Sequence, residues 1–442
     1  MRGGGPMIAP HQFELPTASD EAEQEKEHNY GSKRRKLPSP SKGKKVSAMT
    51  KKSPEGEQRM IKGIARPFEL PTASGKALDR AAQRIRAAKR PLIMVGAAAS
   101  RPSPRSIFLI REFVRRTGIP FFSTQMGKGV VREDSDLYMG TAALSKRDFV
   151  HDAVDKADLI IAIGYDTCEK PPFFMQKGGP EVIHIGYEPA IFTKGYYPQL
   201  EVIGDIGPSL KALADRLEGK LPNAGALLEL REEILSRMSD GADEKSWPVT
   251  LDRVVHDVRK IMAENDIVAL DNGLYKLAFA RNYRTYHRNT LLLDNALATM
   301  GAGLPAAIEA ARLYPERRVM AVCGDGGFPM TDEELGPAVH LNLNLNLVIV
   351  ILNNGGYGMI GAKQAAKGFS NYGTTFDSPD FVKLAEAYGA KGTRVETTDD
   401  LVPALEAAFE GGGVHVVEVL VDDSKYWPSR EGEGPKHLSE PR

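Results

Sequence analysis

Three short polar turns, each following an apolar run, are the residues of this sequence best suited to chemistry. The turn "GDGG" covers residues 324–327, "NNGG" covers residues 353–356, and "DNG" covers residues 271–273. Carboxylates, asparagine amides and backbone carbonyls are hard oxygen ligands that suit Mg²⁺. Glycines let backbone N–H groups approach a phosphate closely. Together, the three turns predict a divalent cation held against a diphosphate.

The apolar runs before these turns predict the strands that would position them. Runs such as "RVMAVC" and "NLVIVIL" alternate with amphipathic segments such as "GLPAAIEAARLYP". This alternation, with strands that are apolar on both faces, is typical of a parallel sheet covered by helices on both sides. Ligands of such sheets bind beyond the carboxyl ends of the strands. We therefore expect the three turns to meet at one edge of one sheet.

The same alternation begins at residue 75 and predicts an earlier unit of the same class. Both units are expected to be α/β domains with doubly wound parallel sheets, and the first is expected to be Rossmann-like. We predict a middle domain at residues 68–222, a helix-bearing connector at 223–247, a second domain at 248–424 and a polar tail at 425–442. Within the second domain, "SPD" at residues 378–380 predicts the start of a helix, with Ser378 as its cap and the proline in its first turn.

Residues 1–67 differ in composition from the rest of the chain. They are charged, rich in Ser, Pro and Gly, and poor in large apolar side chains. Such a segment buries too little surface to offset its ordering, which predicts a disordered tail. Its basic clusters, "KRRK" and "KGKK", are interspersed with acids, which favours a solvated tail over a nuclear-localisation or polyanion-binding patch. The heptapeptide "FELPTAS" occurs at residues 13–19 and again at 68–74, which indicates a duplicated boundary.

The overall composition argues against several classes of protein. The chain of 442 residues has 58 basic and 58 acidic residues, so no net charge draws it to nucleic acid or to a membrane. Its two cysteines, Cys168 and Cys323, lie in apolar runs and are expected to be small core residues in a reducing compartment. No apolar run approaches the roughly 20 residues of a membrane span. We expect a cytoplasmic protein, with an organelle as the alternative, and neither a nucleic-acid nor a membrane partner.

The turns at residues 324–327 and 353–356 resemble the thiamine diphosphate-binding motif, in which GDG is followed by NN. The resemblance extends beyond this motif. The segments "ATMGAGLP" at 298–305, "TQMGKGV" at 124–130 and "EKPPFFM" at 169–175 resemble the C-terminal and middle domains of the acetolactate synthase large-subunit family. The similarity covers roughly residues 68 to 421, which is most of the chain.

The resemblance implies a role for each polar turn. Asp325 and Asn354 would bind Mg²⁺ through their side chains, and Gly356 would bind it through its backbone carbonyl. The diphosphate would lie against five residues: Gly273, Leu274, Tyr275, Gly326 and Gly327.

The resemblance also implies roles for three less polar residues. Met300 would be the apolar wedge that keeps thiamine diphosphate bent, and its N–H would bind the aminopyrimidine together with the carbonyl of Ala298. Met359 would line the thiazolium and substrate side. Core packing is the ordinary role of a methionine, so only the resemblance assigns Met300 and Met359 to the cofactor.

The activity implied by the resemblance is that of an acetolactate synthase-like transferase of branched-chain amino acid biosynthesis. Such an enzyme uses thiamine diphosphate and Mg²⁺ to decarboxylate pyruvate and to condense the product with a second 2-keto acid. Residues 361–364, "GAKQ", lack the tryptophan that biosynthetic members usually carry near this position, which favours pyruvate as the acceptor. The family also implies a homodimer or a homotetramer.

Two departures from the family pattern bear on activity and cofactors. The glutamate that activates thiamine diphosphate belongs to an N-terminal pyrimidine-binding domain, and residues 1–67 contain no segment that resembles it. No catalytic residue is therefore predicted in this chain, and a partner chain is expected to supply that domain. The alternative is a catalytically impaired binding, regulatory or scaffold subunit. Residues 163–172 also lack the arginine of FAD-binding relatives, so bound FAD is not expected.

Overall fold

A computed structural model of the chain describes residues 71–219, 221–238, 240–340 and 346–426. The predicted tail at residues 1–67 and most of the predicted tail at 425–442 lie outside the described residues. The first copy of the repeated heptapeptide lies outside them as well.

The first sheet contains six parallel strands in the order β3-β2-β1-β4-β5-β6. Every residue of the two central strands is buried, because helices cover both faces of the sheet. Its strands are β1 (Pro91–Val95), β2 (Phe121–Thr124), β3 (Tyr138–Ala142), β4 (Leu159–Ile163), β5 (Glu181–Gly186) and β6 (Leu200–Ile203). Its helices are α1 (Gly75–Ala87), α2 (Pro104–Thr117), α3 (His151–Lys156), α4 (Ile206–Leu217) and α5 (Arg231–Ser236).

Local sequence signals set the ends of the helices on this sheet. The hydroxyl of Ser103 accepts a hydrogen bond from the N–H of Ser106, and Pro104 occupies the first turn of α2. Gly118 ends the same helix with a φ of 68°, a left-handed conformation that favours glycine. The buried side chains of α2 include Ile107, Ile110, Phe113 and Val114, and this face packs on the sheet.

The second sheet contains seven parallel strands in the order β12-β13-β11-β10-β8-β9, and β7 pairs with the end of β13. Its strands are β7 (Val249–Thr250), β8 (Ile267–Leu270), β9 (Leu291–Leu292), β10 (Val319–Gly324), β11 (Asn346–Asn353), β12 (Lys391–Arg394) and β13 (Gly413–Asp422). Its helices are α6 (Leu251–Ile261), α7 (Tyr275–Asn282), α8 (Gly303–Leu313), α9 (Leu335–His340), α10 (Gly358–Ala366), α11 (Phe381–Ala387) and α12 (Leu401–Glu410).

The structure confirms the predicted fold class, two α/β domains with parallel sheets, but contains elements that the sequence pattern did not predict. These include the strands β3, β6 and β12 and the helices α7 and α10. The sequences of β3 and β12, "YMGTA" and "KGTR", lack the continuous apolar run that predicted strands such as β1, β4, β10 and β11. In the edge strand β12, no residue is buried, which explains its polar sequence.

Two local predictions were wrong. The segment "SPD" before α11 predicted a serine cap at Ser378, but Asp380 caps the helix by accepting a hydrogen bond from the N–H of Lys383. Cys168 is exposed rather than buried, because it lies in the turn after β4, whereas Cys323 is buried as expected. Within the part of the chain that the structure describes, no helix combines the length and the apolar character that a membrane span requires.

A buried glutamate closes the carboxyl edge of the first sheet. Glu169 accepts hydrogen bonds from the N–H of Ala97 (2.9 Å), the hydroxyl of Thr124 (2.6 Å) and the N–H of Met126 (3.2 Å). Burial raises its pKa to about 7, although these three donors favour the ionised form. The segments after β1 and β4 touch at this point, since a Cβ on Gly164 would lie 2.3 Å from the backbone nitrogen of Ala99.

Candidate functional site

The turns that follow adjacent strands of the second sheet lie along one edge. The strands β13, β11, β10 and β8 are neighbours and run parallel, so their carboxyl ends point the same way. The turn 271–273 follows β8, the turn 325–327 follows β10, and the turn 354–356 follows β11. A cleft of about 500 Å³, part of it open to solvent, lies over these turns.

All of the predicted site residues except Ala298 line this cleft. Ala298 is exposed and has a φ of 52°, a left-handed conformation that is unusual for a residue with a Cβ. The predicted residues in the lining are Gly273, Leu274, Tyr275, Met300, Asp325, Gly326, Gly327, Asn354, Gly356 and Met359. The structure thus brings them together, while their individual roles stay predictions.

Asp325 is the acid at the base of the cleft, and it is only 2% exposed. One carboxylate oxygen accepts a hydrogen bond from the N–H of Gly326 (3.0 Å). The other accepts from the N–H of Gly355 (2.7 Å) and from the hydroxyl of Ser378 (3.1 Å). Burial raises the pKa of Asp325, whereas these hydrogen bonds favour its ionised form. All three donors are neutral, so they do not cancel the negative charge of the carboxylate. A cation bound there would neutralise that charge.

The two adjacent asparagines face different surroundings. Asn353 points toward the sheet, where its amide nitrogen donates to Glu418 (2.8 Å) and its oxygen accepts from Ser378 (3.2 Å). Asn354 is exposed in the cleft, where its amide nitrogen donates to a carboxylate oxygen of Asp423 (2.7 Å). Only Asn354 lines the cleft, in agreement with the choice of this asparagine as the candidate metal ligand.

The segment after Asn354 is held by a short antiparallel contact. Gly356 pairs with Thr375, and the N–H of Tyr357 donates to the carbonyl of Thr374 (2.8 Å). A Cβ on Gly356 would lie 2.3 Å from that carbonyl oxygen, so a larger residue would not fit here. The contact fixes the backbone that carries the third predicted metal ligand.

Asp271, in the turn after β8, is a second buried acid at this edge. It is fully buried, and burial raises its pKa. Neither carboxylate oxygen has a donor in hydrogen-bonding geometry among the described residues, although the N–H groups of Gly301 and Ala302 face it and favour the ionised form. A Cβ on Gly327 would lie 2.1 Å from its carboxylate, so Asp271 packs directly against the turn 325–327.

A lysine holds the loop that precedes and includes Met300. The ammonium group of Lys276 donates to the side-chain oxygen of Asn272 (2.6 Å) and to the carbonyl of Asp294 (2.9 Å). The amide nitrogen of Asn272 in turn donates to the carbonyl of Thr299 (2.8 Å). Burial lowers the pKa of Lys276 to about 8. This chain of hydrogen bonds ties the residues around Met300 to the start of α7.

Sequence reasoning missed two polar residues of the site. Ser378 was assigned to a helix cap, yet its hydroxyl lies between Asp325 and Asn353. Asp423 was placed at the boundary of the second domain without a role, yet it lines the cleft beside Asn354. The rule that ligands bind beyond the carboxyl ends of strands applies equally to β13 and would have drawn attention to the two acids at its end, Asp422 and Asp423.

The donor set of the cleft fits a hard cation and a phosphate group. Asp325, Asn354 and Gly356 present carboxylate, amide and carbonyl groups, the oxygen donors that Mg²⁺ prefers. Gly326 and Gly327 leave their backbone without side chains at the floor of the same cleft.

Comparison with known proteins assigns both domains to one family. Residues 78–213 match the central domain of thiamine pyrophosphate enzymes, and residues 271–419 match their C-terminal TPP-binding domain. The chain is 33% identical to a catabolic acetolactate synthase of Raoultella terrigena over 368 residues, which are 81% of this chain and 64% of that protein. It is 30% identical to an acetolactate synthase of Bacillus subtilis (strain 168), over 82% of this chain and 64% of that protein.

A more distant relative gives the same result. The chain is 28% identical to a probable acetolactate synthase large subunit of Methanocaldococcus jannaschii, over 79% of this chain and 61% of that protein. The chain thus spans less than two thirds of the length of these relatives. On the matches of its two domains, the chain belongs to the thiamine pyrophosphate enzymes and contains their central domain and their C-terminal, cofactor-binding domain.

Proposed function

We propose that this chain binds thiamine diphosphate and Mg²⁺ in the cleft of its second sheet and serves an acetolactate synthase reaction with pyruvate. The observation that carries the proposal is the cleft itself, in which adjacent strands of a TPP-binding domain bring Asp325, Asn354 and the glycine turns together. When bound, thiamine diphosphate supplies the nucleophile and the electron sink that allow a 2-keto acid to lose CO₂.

In this proposal, three residues hold the cation. Asp325 and Asn354 bind Mg²⁺ through side-chain oxygens, and Gly356 binds it through its carbonyl. The hydrogen bonds from Gly326, Gly355 and Ser378 keep the carboxylate of Asp325 in one orientation, so little reorganisation accompanies metal binding.

The glycine turns and the methionines hold the organic cofactor. The turn that starts at Gly273 offers N–H groups to the diphosphate, and Gly326 and Gly327, which carry no side chains, leave room for it beside the turn 325–327. Met300 and Met359 supply apolar contacts that exclude water from the cleft, and the carbonyl of Ala298 accepts a hydrogen bond from the aminopyrimidine. The left-handed backbone of Ala298 is supported by the hydrogen bonds of the neighbouring loop.

A partner surface completes the site in this proposal. Leu297, Ile360 and Tyr372 lie on segments close to the cleft and are 85%, 45% and 85% exposed. Large exposed apolar side chains around a binding cleft favour contact with another protein surface. We propose that the surface that covers these side chains belongs to the pyrimidine-binding domain of a partner chain, which also supplies the glutamate that activates the cofactor. The alternative is that this chain assembles with copies of itself into a homodimer or a homotetramer.

The alternative function is a binding or regulatory subunit that holds the cofactor without turnover. Titration calorimetry with thiamine diphosphate, with and without Mg²⁺, tests the binding step that both functions share. We expect binding that depends on Mg²⁺, and an absence of binding would refute the proposed function.

A turnover assay separates the two functions. Acetolactate formation from pyruvate is measured for the chain alone and after addition of the N-terminal domain of an acetolactate synthase. We expect the added domain to produce or to increase turnover. Cofactor binding without turnover in either case would favour the non-catalytic subunit.

A further inference from the structure

We propose that Asp423 is a positioning residue that fixes the side chain of Asn354 for binding the cation; this role rests on the proposed function. Asp423 follows β13, the strand that pairs with β11, and its carboxylate accepts a hydrogen bond of 2.7 Å from the amide nitrogen of Asn354. Both residues line the cleft. The contact therefore joins a predicted metal ligand to the end of β13, a strand that carries none of the three predicted turns.

The chemistry of the amide group makes this contact directional. An asparagine side chain ends in an oxygen and an NH₂ group of similar shape, and only the oxygen binds a hard cation. A carboxylate accepts hydrogen bonds but does not donate them when ionised, so it selects the NH₂ end of Asn354 as its neighbour. The oxygen of Asn354 is then the end that is available to Mg²⁺. Because Asn354 is exposed, no tight packing would otherwise fix this choice.

The backbone around the pair is shaped to admit this close contact. Gly358 begins α10, and a Cβ at this position would lie 2.4 Å from the carboxylate of Asp423. The same Cβ would lie 3.1 Å from the amide nitrogen of Asn354. Any other residue at position 358 would therefore collide with the carboxylate of Asp423 and crowd the amide of Asn354.

Asp423 is itself held in place by the turn that it begins. The N–H of Tyr426 donates to the carbonyl of Asp423 (2.9 Å), which closes the turn. The side chains of Lys425 and Tyr426 both contact the buried carboxylate of Asp252 in α6. Asn282 of α7 also donates to the hydroxyl of Tyr426 (3.1 Å). A turn anchored to two helices can hold the carboxylate steady beside Asn354.

The test compares three variants by the binding of Mg²⁺, measured by calorimetry in the presence of saturating thiamine diphosphate. Asp423→Ala removes the hydrogen-bond acceptor, and we expect Mg²⁺ affinity to fall on the order of tenfold or more, as when other partners of metal ligands are removed. Asp423→Asn keeps an oxygen that can accept from Asn354, and we expect a smaller loss. Asp422→Asn is the matched control, because it removes the same charge from the neighbouring residue. The side chain of Asp422 is exposed and accepts a hydrogen bond from the N–H of Ser424. We expect it to bind like the wild type.

Several outcomes would overturn this role. Wild-type affinity in Asp423→Ala would show that Asn354 needs no positioning. An equal loss in Asp423→Asn and Asp423→Ala would assign the effect to charge alone. Circular dichroism spectra verify that each variant is folded. A wild-type protein that binds no Mg²⁺ and no thiamine diphosphate would instead refute the proposed function, so the two failures are distinguishable.

Discussion

The carboxyl edges of the two sheets each hold a buried acid, and the acid at the edge of the second sheet faces a cleft. Glu169 and Asp325 are both 2% exposed, each accepts three hydrogen bonds from neutral donors, and burial raises both pKa values. Around Glu169, the segments after β1 and β4 are in backbone contact. Above Asp325, the turns surround a cleft of about 500 Å³, part of which is open to solvent.

The difference shows how one type of sheet edge can be used in two ways. In the first sheet, the carboxylate of Glu169 already accepts hydrogen bonds from the N–H groups of Ala97 and Met126. Backbone N–H groups at this edge are the donors that bind phosphates in folds of this class. In the second sheet, Asp325 presents its charge to the space where a ligand would enter. We infer that the first edge is closed by a carboxyl group of the protein itself, whereas the second is built for a ligand.

The largest effect is expected at the open edge. Asp325→Ala removes the charged metal ligand and one of the two acceptors of the Gly355 N–H, so thiamine diphosphate affinity in Mg²⁺ should fall about 100-fold or more. Calorimetric titration measures the change. Asp155→Asn, at an exposed position of α3, is the control and should bind normally. Unchanged binding in Asp325→Ala would contradict the assignment of the open edge.

An effect of similar size is expected at the closed edge, but it is one of stability and pH. The folded-state pKa of Glu169, about 7, is above its ordinary value of 4.5, so its protonated form stabilises the fold. This contribution is complete below about pH 4.5 and is lost as the pH rises through 7. Across the whole range, the free energy of unfolding should change by roughly 3 kcal/mol relative to a variant that cannot ionise at this position.

Denaturant unfolding between pH 4 and 8 tests this expectation for the wild type and for Glu169→Gln. As the pH rises, the free energy of unfolding of the wild type should fall relative to that of Glu169→Gln. Glu229→Gln, at an exposed position, serves as the control for general pH effects. A difference that does not vary with pH would mean that Glu169 keeps an ordinary pKa in spite of its burial.

The hydrogen bonds of Lys276 allow a more moderate test of the open edge. Lys276→Met keeps the length and the apolar stem of the side chain but removes the donors to Asn272 and Asp294. The loop around Met300 should become more mobile, and thiamine diphosphate should bind about tenfold more weakly, the equivalent of one or two lost hydrogen bonds. Lys260→Met, at an exposed position of α6, should bind normally. An equal loss in both variants would exclude a specific role for Lys276.

The smallest expected effect concerns Ser378. Ser378→Ala removes one of the three hydrogen bonds to Asp325, which should lower the free energy of unfolding by about 1 kcal/mol and weaken Mg²⁺ binding several-fold. Thermal unfolding and metal titration measure the two effects. Ser236→Ala, which removes an exposed hydroxyl in α5, is the control. A loss of stability without any loss of metal affinity would show that Ser378 serves the fold alone.

Much of this fold could be predicted because its strands follow simple physical rules. β10 and β11 are apolar on both faces and end in polar turns, so their position and the location of Asp325 and Asn354 followed from the sequence. The edge strand β12 could not be predicted in this way, since it has no buried residue and its polar sequence is typical of a loop.

The remaining errors arose where one residue had two plausible uses. Ser378 and Asp380 both precede α11, and either side chain could cap the helix, so only the three-dimensional structure reveals that Ser378 serves Asp325 instead. Asp422 and Asp423 are adjacent acids at the end of β13, and their sequence does not indicate which of them points into the cleft.

The pairing of β13 with β11, in which Asn353 lies opposite Leu420, has a consequence for engineering this protein. Successive residues of a strand point to opposite faces, so a shift of one residue matters here. An insertion of one residue in β13 would move Asp422 into the place of Asp423 beside Asn354, and a deletion would move Ser424 there. Changes in this strand that preserve the overall fold could therefore still alter the cation site, and length variation is better tolerated in the loops at the opposite edge of the sheet.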